Sequence, residues 1–358
     1  MLMVILGAGA SYDSSPDRLP IGLTDLGLGH RPPLAANLFE VREHFAQARA
    51  QFPQFHELIA HLLPQDGRSI EEVLQEFQDD APRDPRRYVQ LAAIRYYLQQ
   101  AFKRLIPQWM LLTGGVLNHI TLLDKIRSYV DPHEPVLFVT FNYDTLLEEA
   151  LFKHDKRITF GKIDDYVLGR VPDRFRVFKL HGSVNWGRCL TSGPSVVTQS
   201  QQARGPWGSA EIMIENAAAL GLSDDYCVVT DDKAGFVGPP LFPAIAIPVV
   251  SKATFECPPA HVDMLRNLIP EVDRILAIGW RANERDFLNM LRDMNAASIV
   301  TMCGPHSGDT LERLRGLSFR VKPNPMALDG FSRSVTDSRL NAFLAGDSFA
   351  KTGARGHK

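Results

Sequence analysis

The sequence predicts an α/β fold: a doubly wound parallel sheet interrupted by an inserted helical module. Three observations carry this. Short apolar runs rich in β-branched residues recur at 2–6 (LMVIL), 136–140 (VLFVT), 175–180 (FRVFKL), 274–279 (RILAIG) and 298–303 (SIVTMC). Segments with apolar residues at helical spacing separate most of them, and strand–helix alternation is the signature of a parallel sheet with helices on both faces. A long block, about residues 33–130, is almost wholly helical in pattern.

Taken in order, residues 2–6 read as a buried strand. The run lacks the basic flank of a signal peptide and breaks at Gly7. The turn Gly7–Ser11 leads into a Pro/Asp/Ser loop to about residue 32. Within the helical block, PLAANLFEVREHFAQA, SIEEVLQEFQ, RRYVQLAAIRYYLQQAFKRL and VLNHITLLDKIRSYV each space their apolar residues for one helix face, and Ser69 with Glu72 has capping-box spacing. Strand 136–140 precedes a helix at 144–153, and strand 175–180 precedes a stretch, 187–250, that reads as irregular. A helix at 259–268, strand 274–279, helix 284–294, strand 298–303, helix 309–315, strand 317–321 and a last helix at 336–344 complete the pattern. The tail KTGARGHK, small, polar and basic, reads as a frayed end.

Composition narrows the function classes. At 358 residues and 45% hydrophobic content, the chain can bury the core of one large domain or one and a half. A net charge of −2 and a pI of about 6.6 give no electrostatic case for nucleic acid or an acidic membrane. The stretch PPLFPAIAIPVV is short and broken by prolines, so no membrane-spanning helix is expected. The four cysteines, at 189, 227, 257 and 303, form no Cys-x-x-Cys pair, which fits reduced thiols in a cytoplasmic protein.

Chemistry-bearing residues gather where strands end, the edge at which open α/β sheets bind ligands. In Gly7-Ala8-Gly9-Ala10-Ser11, Gly7 suits a tight bend and Gly9 a close approach of backbone to a pyrophosphate. The match to G-x-G-x-x-G is incomplete, because residue 12 is Tyr and no immediate helix is expected; a plain turn that needs small residues is an equal reading. In TFNYD, Asn142 can orient a water or a ribose hydroxyl without carrying charge. Asp144 can serve as a base or cap the next helix. In KLHGSVNW, Gly182 lets the chain turn and leaves His181 at the sheet edge, with an imidazole able to accept a proton near neutral pH. In AIGWRANERDF, Gly279 permits a close approach, while Asn283 and Asp286 suit the start of a helix; Cys303-Gly304 reads as a loop without a role.

In this order, GAGAS, TFNYD, LHGS and the late IGW resemble the sirtuin-like fold, a Rossmann-like architecture, from residue 2 to about 305. With RPPLAANLF and FPAIAIPVVSKATFECP, the likeness is closer to the sirtuin-like NAD hydrolases of bacterial antiphage defence than to protein deacylases. The resemblance implies a catalytic domain over 1–330 with its helical insertion at about 33–130, and a terminal helix and tail over 331–358. It implies NAD as substrate, cleaved at the nicotinamide–ribose bond. Asn142 would position the attacking water, His181 would act as base on the ribose hydroxyls, and Asp144 would support them. Gly7, Ala8, Gly9 and Ser11 would cradle phosphates, with Gly279 and Trp280 beside the adenylate half. Deacylases hold zinc with two Cys-x-x-Cys pairs; only Cys189 and Cys227 lie in that region here, so no metal is expected. The same resemblance implies a homo-oligomer or a complex with a HerA-type DNA translocase or an Argonaute-like protein. An NAD-dependent deacylase and a non-catalytic NAD-binding or scaffolding subunit are the alternatives.

Overall fold

The computed structural model describes residues 1–16, 29–62, 68–168, 174–192, 207, 209–230, 241–249 and 255–346. Strand β1 (Leu2–Leu6) turns through Gly7 into α1 (Ala8–Tyr12). Helices α2 (Glu43–Arg49), α3 (His56–Leu62), α4 (Ile70–Asp80), α5 (Arg86–Leu112) and α6 (Asn118–Tyr129) follow before β2 (Val136–Thr140) and α7 (Leu146–His154). Strand β3 (Phe175–Lys179) runs almost directly into β4 (Gly182–Ser192); then come α8 (Ala210–Glu215), β5 (Gly221–Val228) and β6 (Leu241–Ile245). The remainder is α9 (Pro259–Leu268), β7 (Arg274–Ile278), α10 (Arg285–Leu291), β8 (Ala296–Met302), α11 (Ser307–Arg315), β9 (Arg320–Val321), β10 (Met326–Leu328), α12 (Phe331–Ser334) and α13 (Ser338–Leu344).

Seven strands form one parallel sheet in the order β3–β2–β1–β7–β8–β10, with β9 beside β8. Strands β1, β2 and β7 are buried along their whole length, as continuous apolar runs covered on both faces must be. From β1 the chain winds outward to β2 and β3, then returns beside β1 as β7 and winds the other way. The crossover directions therefore diverge between β1 and β7, and that switch point is where a doubly wound sheet opens a crevice.

Four sequence expectations change. The stretch 187–250, read as irregular, contains a three-stranded antiparallel sheet in the order β5–β4–β6. Its strands were hidden by Gly187, Gly221 and Pro243. In β6 the proline sits on an edge strand, opposite Gly187, where it breaks no ladder on the outer side. A helix does follow the glycine turn at once, but α1 has five residues, too few for a periodic signal. The reading of PLAANLFEVREHFAQA as one helix gives way to a 3₁₀ turn at Ala35–Asn37 and α2. The strand expected at 317–321 shrinks to β9, while β10 and α12 went unseen. The loop residues 17–28 and the tail lie outside the described residues.

The capping box forms as spaced: the Glu72 amide donates to Ser69 Oγ at 3.2 Å and the Ser69 amide to Glu72 Oε2 at 2.7 Å. Helix α5 buries Tyr96, Tyr97, Leu105 and Trp109. It reaches the antiparallel sheet through Arg95, which donates to the Ile245 carbonyl at 2.6 Å and pairs with Glu256 at 2.9 Å. Among the described residues, no helix is long and apolar enough to cross a membrane.

Candidate active site at the carboxyl ends of the strands

The segment after β2 crosses toward β1, its Phe141 amide donating to the Leu6 carbonyl at 2.9 Å. That brings Asn142 and Asp144 to the glycine turn. Asn142 Nδ2 donates to the Gly7 carbonyl at 2.9 Å and to Ser11 Oγ at 2.8 Å. The Ser11 hydroxyl donates in turn to Asp144 Oδ2 at 2.6 Å, and Asp144 Oδ1 accepts from the Leu146 amide at 3.0 Å. The amide is thereby oriented: with both of its N–H bonds taken, Asn142 Oδ1 is the atom left to accept a hydrogen bond. Asp144, expected as a base or a helix cap, has both oxygens engaged, one of them on the first residue of α7.

His181 follows β3. Its Nδ1 lies 3.2 Å from the Phe141 carbonyl, and its ring packs against Phe141 and Tyr143 with centroids 4.8 and 6.4 Å apart. A carbonyl partner at Nδ1 assigns the proton to that nitrogen and makes Nε2 the basic one. Gly182, at φ +75°, makes the turn into β4 that holds His181 there; a Cβ at 182 would collide with the Ala244 carbonyl. Asn142, Asp144 and His181 are 8%, 5% and 4% exposed.

At the switch point the two glycine turns pack face to face. A Cβ at Gly7 would meet Gly279 O at 2.5 Å, and one at Gly9 would meet Gly279 Cα at 2.7 Å. The amides of Gly7 and Gly9 donate to the carbonyls of Ile278 and Gly279, each at 3.0 Å. Ala8 and Gly9 are half-buried, and Ser11 is buried in the link between Asp144 and Asn142. Trp280 stacks on Phe141 at 5.7 Å and donates from Nε1 to Glu284 at 2.6 Å. Asn283, for which a cap on α10 was one reading, accepts from Arg313 through its side chain, and Glu284 occupies the cap position. Burial raises the Cys303 thiol, which donates to the Trp280 carbonyl at 3.1 Å.

Sequence reasoning missed a charged layer beneath this cluster. Lys179, 1% exposed, donates to the Asp144 main-chain carbonyl at 2.5 Å and to Glu148 Oε1 at 2.8 Å. Tyr166 donates to the same Glu148 oxygen at 3.3 Å. Burial pushes the Glu148 carboxyl up, and the Lys179 ammonium partly offsets it. His119, 2% exposed, is pushed down to about 4 by burial, with Asp144 opposing. A lysine closing an apolar strand two residues before His181, and a glutamate one helical turn after Asp144, were the available signals.

A cavity of about 340 Å³ lies elsewhere, lined by Phe52, Tyr96, Trp207 and Ile214 among others; no residue of the cluster lines it.

The fold and the cluster at its strand ends define a Rossmann-like α/β protein with its polar site on the carboxyl edge of the sheet. A family model described as a SIR2-like domain matches residues 136–219, which carry β2, Asn142, Asp144, β3, His181 and β4. That match supports a sirtuin-like family and an NAD-related activity; Gly7–Ser11 and Gly279–Trp280 lie outside it. No curated protein matches the chain.

Proposed function

We propose that the chain is an NAD⁺ hydrolase: NAD⁺ and water give nicotinamide, ADP-ribose and a proton. The observation that carries this reading is the pairing of an oriented amide acceptor, Asn142 Oδ1, with a basic imidazole nitrogen, His181 Nε2, on adjacent turns of one sheet edge. As the glycosidic bond breaks, positive charge spreads over the ribose, as in glycoside hydrolysis. The protein's task is then to hold the sugar and aim one water. Asn142 Oδ1 accepts a hydrogen bond from that water, and His181 Nε2 accepts the proton from it or from a ribose hydroxyl. Asp144, with both oxygens engaged, orients Asn142 through Ser11, while His181 is held by the Phe141 carbonyl. We assign the diphosphate and adenylate half to the outer rim of the switch point, over the half-buried Ala8 and the Gly279–Trp280 turn; the Gly7 and Gly9 amides, already taken, shape that turn. The absence of any Cys-x-x-Cys pair speaks against the zinc-bearing deacylase. Asn142 and His181 are 8% and 4% exposed, and we assign the access that substrate needs to an oligomer or to a partner such as a HerA-type translocase or an Argonaute-like protein.

The test is nicotinamide and ADP-ribose release from NAD by the purified chain, beside Asn142→Ala and His181→Ala. Both variants are expected to lose about a hundredfold or more in kcat, the scale of general-base and positioning losses. Release unchanged in both would overturn the site. NAD bound without release, with or without the candidate partners, would favour the binding subunit.

A further inference from the structure

We propose that the buried Lys179–Glu148 pair is a positioning clamp that holds the Asn142–Asp144 turn in register with His181. The proposal rests on the NAD reading only for its effect on turnover. Lys179 ends β3 two residues before His181, and Glu148 lies in the first turn of α7, four residues after Asp144. The ammonium joins them: it reaches Glu148 Oε1 at 2.8 Å and the Asp144 main-chain carbonyl at 2.5 Å. One cation thus ties together the strand that carries the imidazole, the turn that carries the amide, and the helix behind them.

The physical cost of this arrangement argues for a directional role. Burying an ion pair costs desolvation that its own attraction seldom recovers, and apolar residues of similar volume often do as well or better for stability. What apolar residues cannot do is donate a hydrogen bond to the Asp144 carbonyl. A buried carbonyl left without a donor reorients to find one. Because Asp144 fixes Ser11 and Ser11 fixes the Asn142 amide, a tilt of that peptide is passed to Oδ1 of Asn142. The clamp therefore governs alignment more than stability, and a displacement on the order of 1 Å at reacting groups is enough to cost catalysis heavily.

The experiment is the charge-free double variant Glu148→Gln/Lys179→Met, with Tyr166→Phe as a control that trims one hydroxyl from Glu148 and leaves the Lys179–Asp144 link in place. The expected result is a melting temperature near that of the parent and amide exchange in the 141–147 peptide about tenfold faster, with the other strands unchanged. The same variant should show kcat for NAD at least about tenfold lower and KM within about threefold. Tyr166→Phe should stay within about twofold on every readout. Unchanged exchange in 141–147 would overturn the clamp, and so would exchange raised throughout the sheet together with a large fall in melting temperature. If the parent releases no nicotinamide, alone or with the candidate partners, the NAD reading fails and the exchange readout alone decides the clamp. If the double variant does not fold, Lys179→Met alone, which removes the donor to the Asp144 carbonyl and leaves Glu148 in place, supplies the same readouts.

Discussion

Asn142 shows how a neutral side chain is given a single task. An amide free to rotate offers donor and acceptor at will. Here Gly7 O and Ser11 Oγ occupy both donors, and Ser11 can accept from the amide only because its own proton goes to Asp144. Ser11→Ala removes one partner each from Asp144 and from Asn142 in a buried setting. It is expected to cost about 1–3 kcal/mol in denaturant unfolding and to lower NAD cleavage with KM little changed. A loss of affinity for NAD without loss of kcat would instead put Ser11 on the phosphates. Much of this was legible in the sequence: the residue types at 142, 144 and 181 sit after strands where they were sought. What the sequence did not carry was the pairing. Nothing in GAGAS says that its serine will face a carboxylate 133 residues away.

At the level of elements, the turn after β7 is locked to the turn after β1. Gly279 stands at φ +58°, and a Cβ there would press into the backbone of Gly9 and Ala10. Gly304, after β8, has the same φ of +58° with nothing within 4 Å of such a Cβ. The pair separates two costs. Gly304→Ala bears the left-handed penalty alone, roughly 1–2 kcal/mol. Gly279→Ala adds overpacking of typically about 1–3 kcal/mol more, so its unfolding midpoint should fall further; equal losses would mean the two turns yield easily. The sequence announced β1, β2, β3, β7 and β8 of the large sheet because each is a mostly apolar run, and missed the short β10. It concealed β4–β6, where glycine, a bulged register and an edge proline blur the period. It concealed α1 because five residues make little more than one helical turn, too few for the period to repeat. Lys179 and Glu148 escaped notice for a related reason: charged residues in apolar segments look like solvent-facing positions until their partners are known.

Across the whole molecule, two buried histidines tie stability to pH. Burial holds both His119 and His261 down to about 4, from an ordinary value of 6.5. Asp144 opposes this at His119, as does Asp164 at His261. With the folded value depressed, the unfolded chain takes up these protons first. Their contribution is full above pH 6.5, falls as the pH drops from 6.5 towards 4, and levels off below; each is on the order of 3 kcal/mol at most. Melts at pH 7 and pH 5 should show a clear loss of stability that His261→Leu makes shallower, and an unchanged slope in that variant would refute the assignment. The order of the sheet has a further consequence, for synthesis. Strand β1 lies at its centre, yet its neighbours are β2, aligned Leu2 with Val136, and β7, aligned Leu2 with Arg274. On the ribosome β1 emerges long before either flank exists, while the helical block can gather its own mostly local contacts. A nascent chain stalled near residue 200 should expose β1 to protease on one edge, and one stalled well past β8 should protect it. The central strand of this protein is thus made before either of its neighbours and enclosed only once β7 has been made, which makes the interval before β7 appears the time when a holding chaperone matters most.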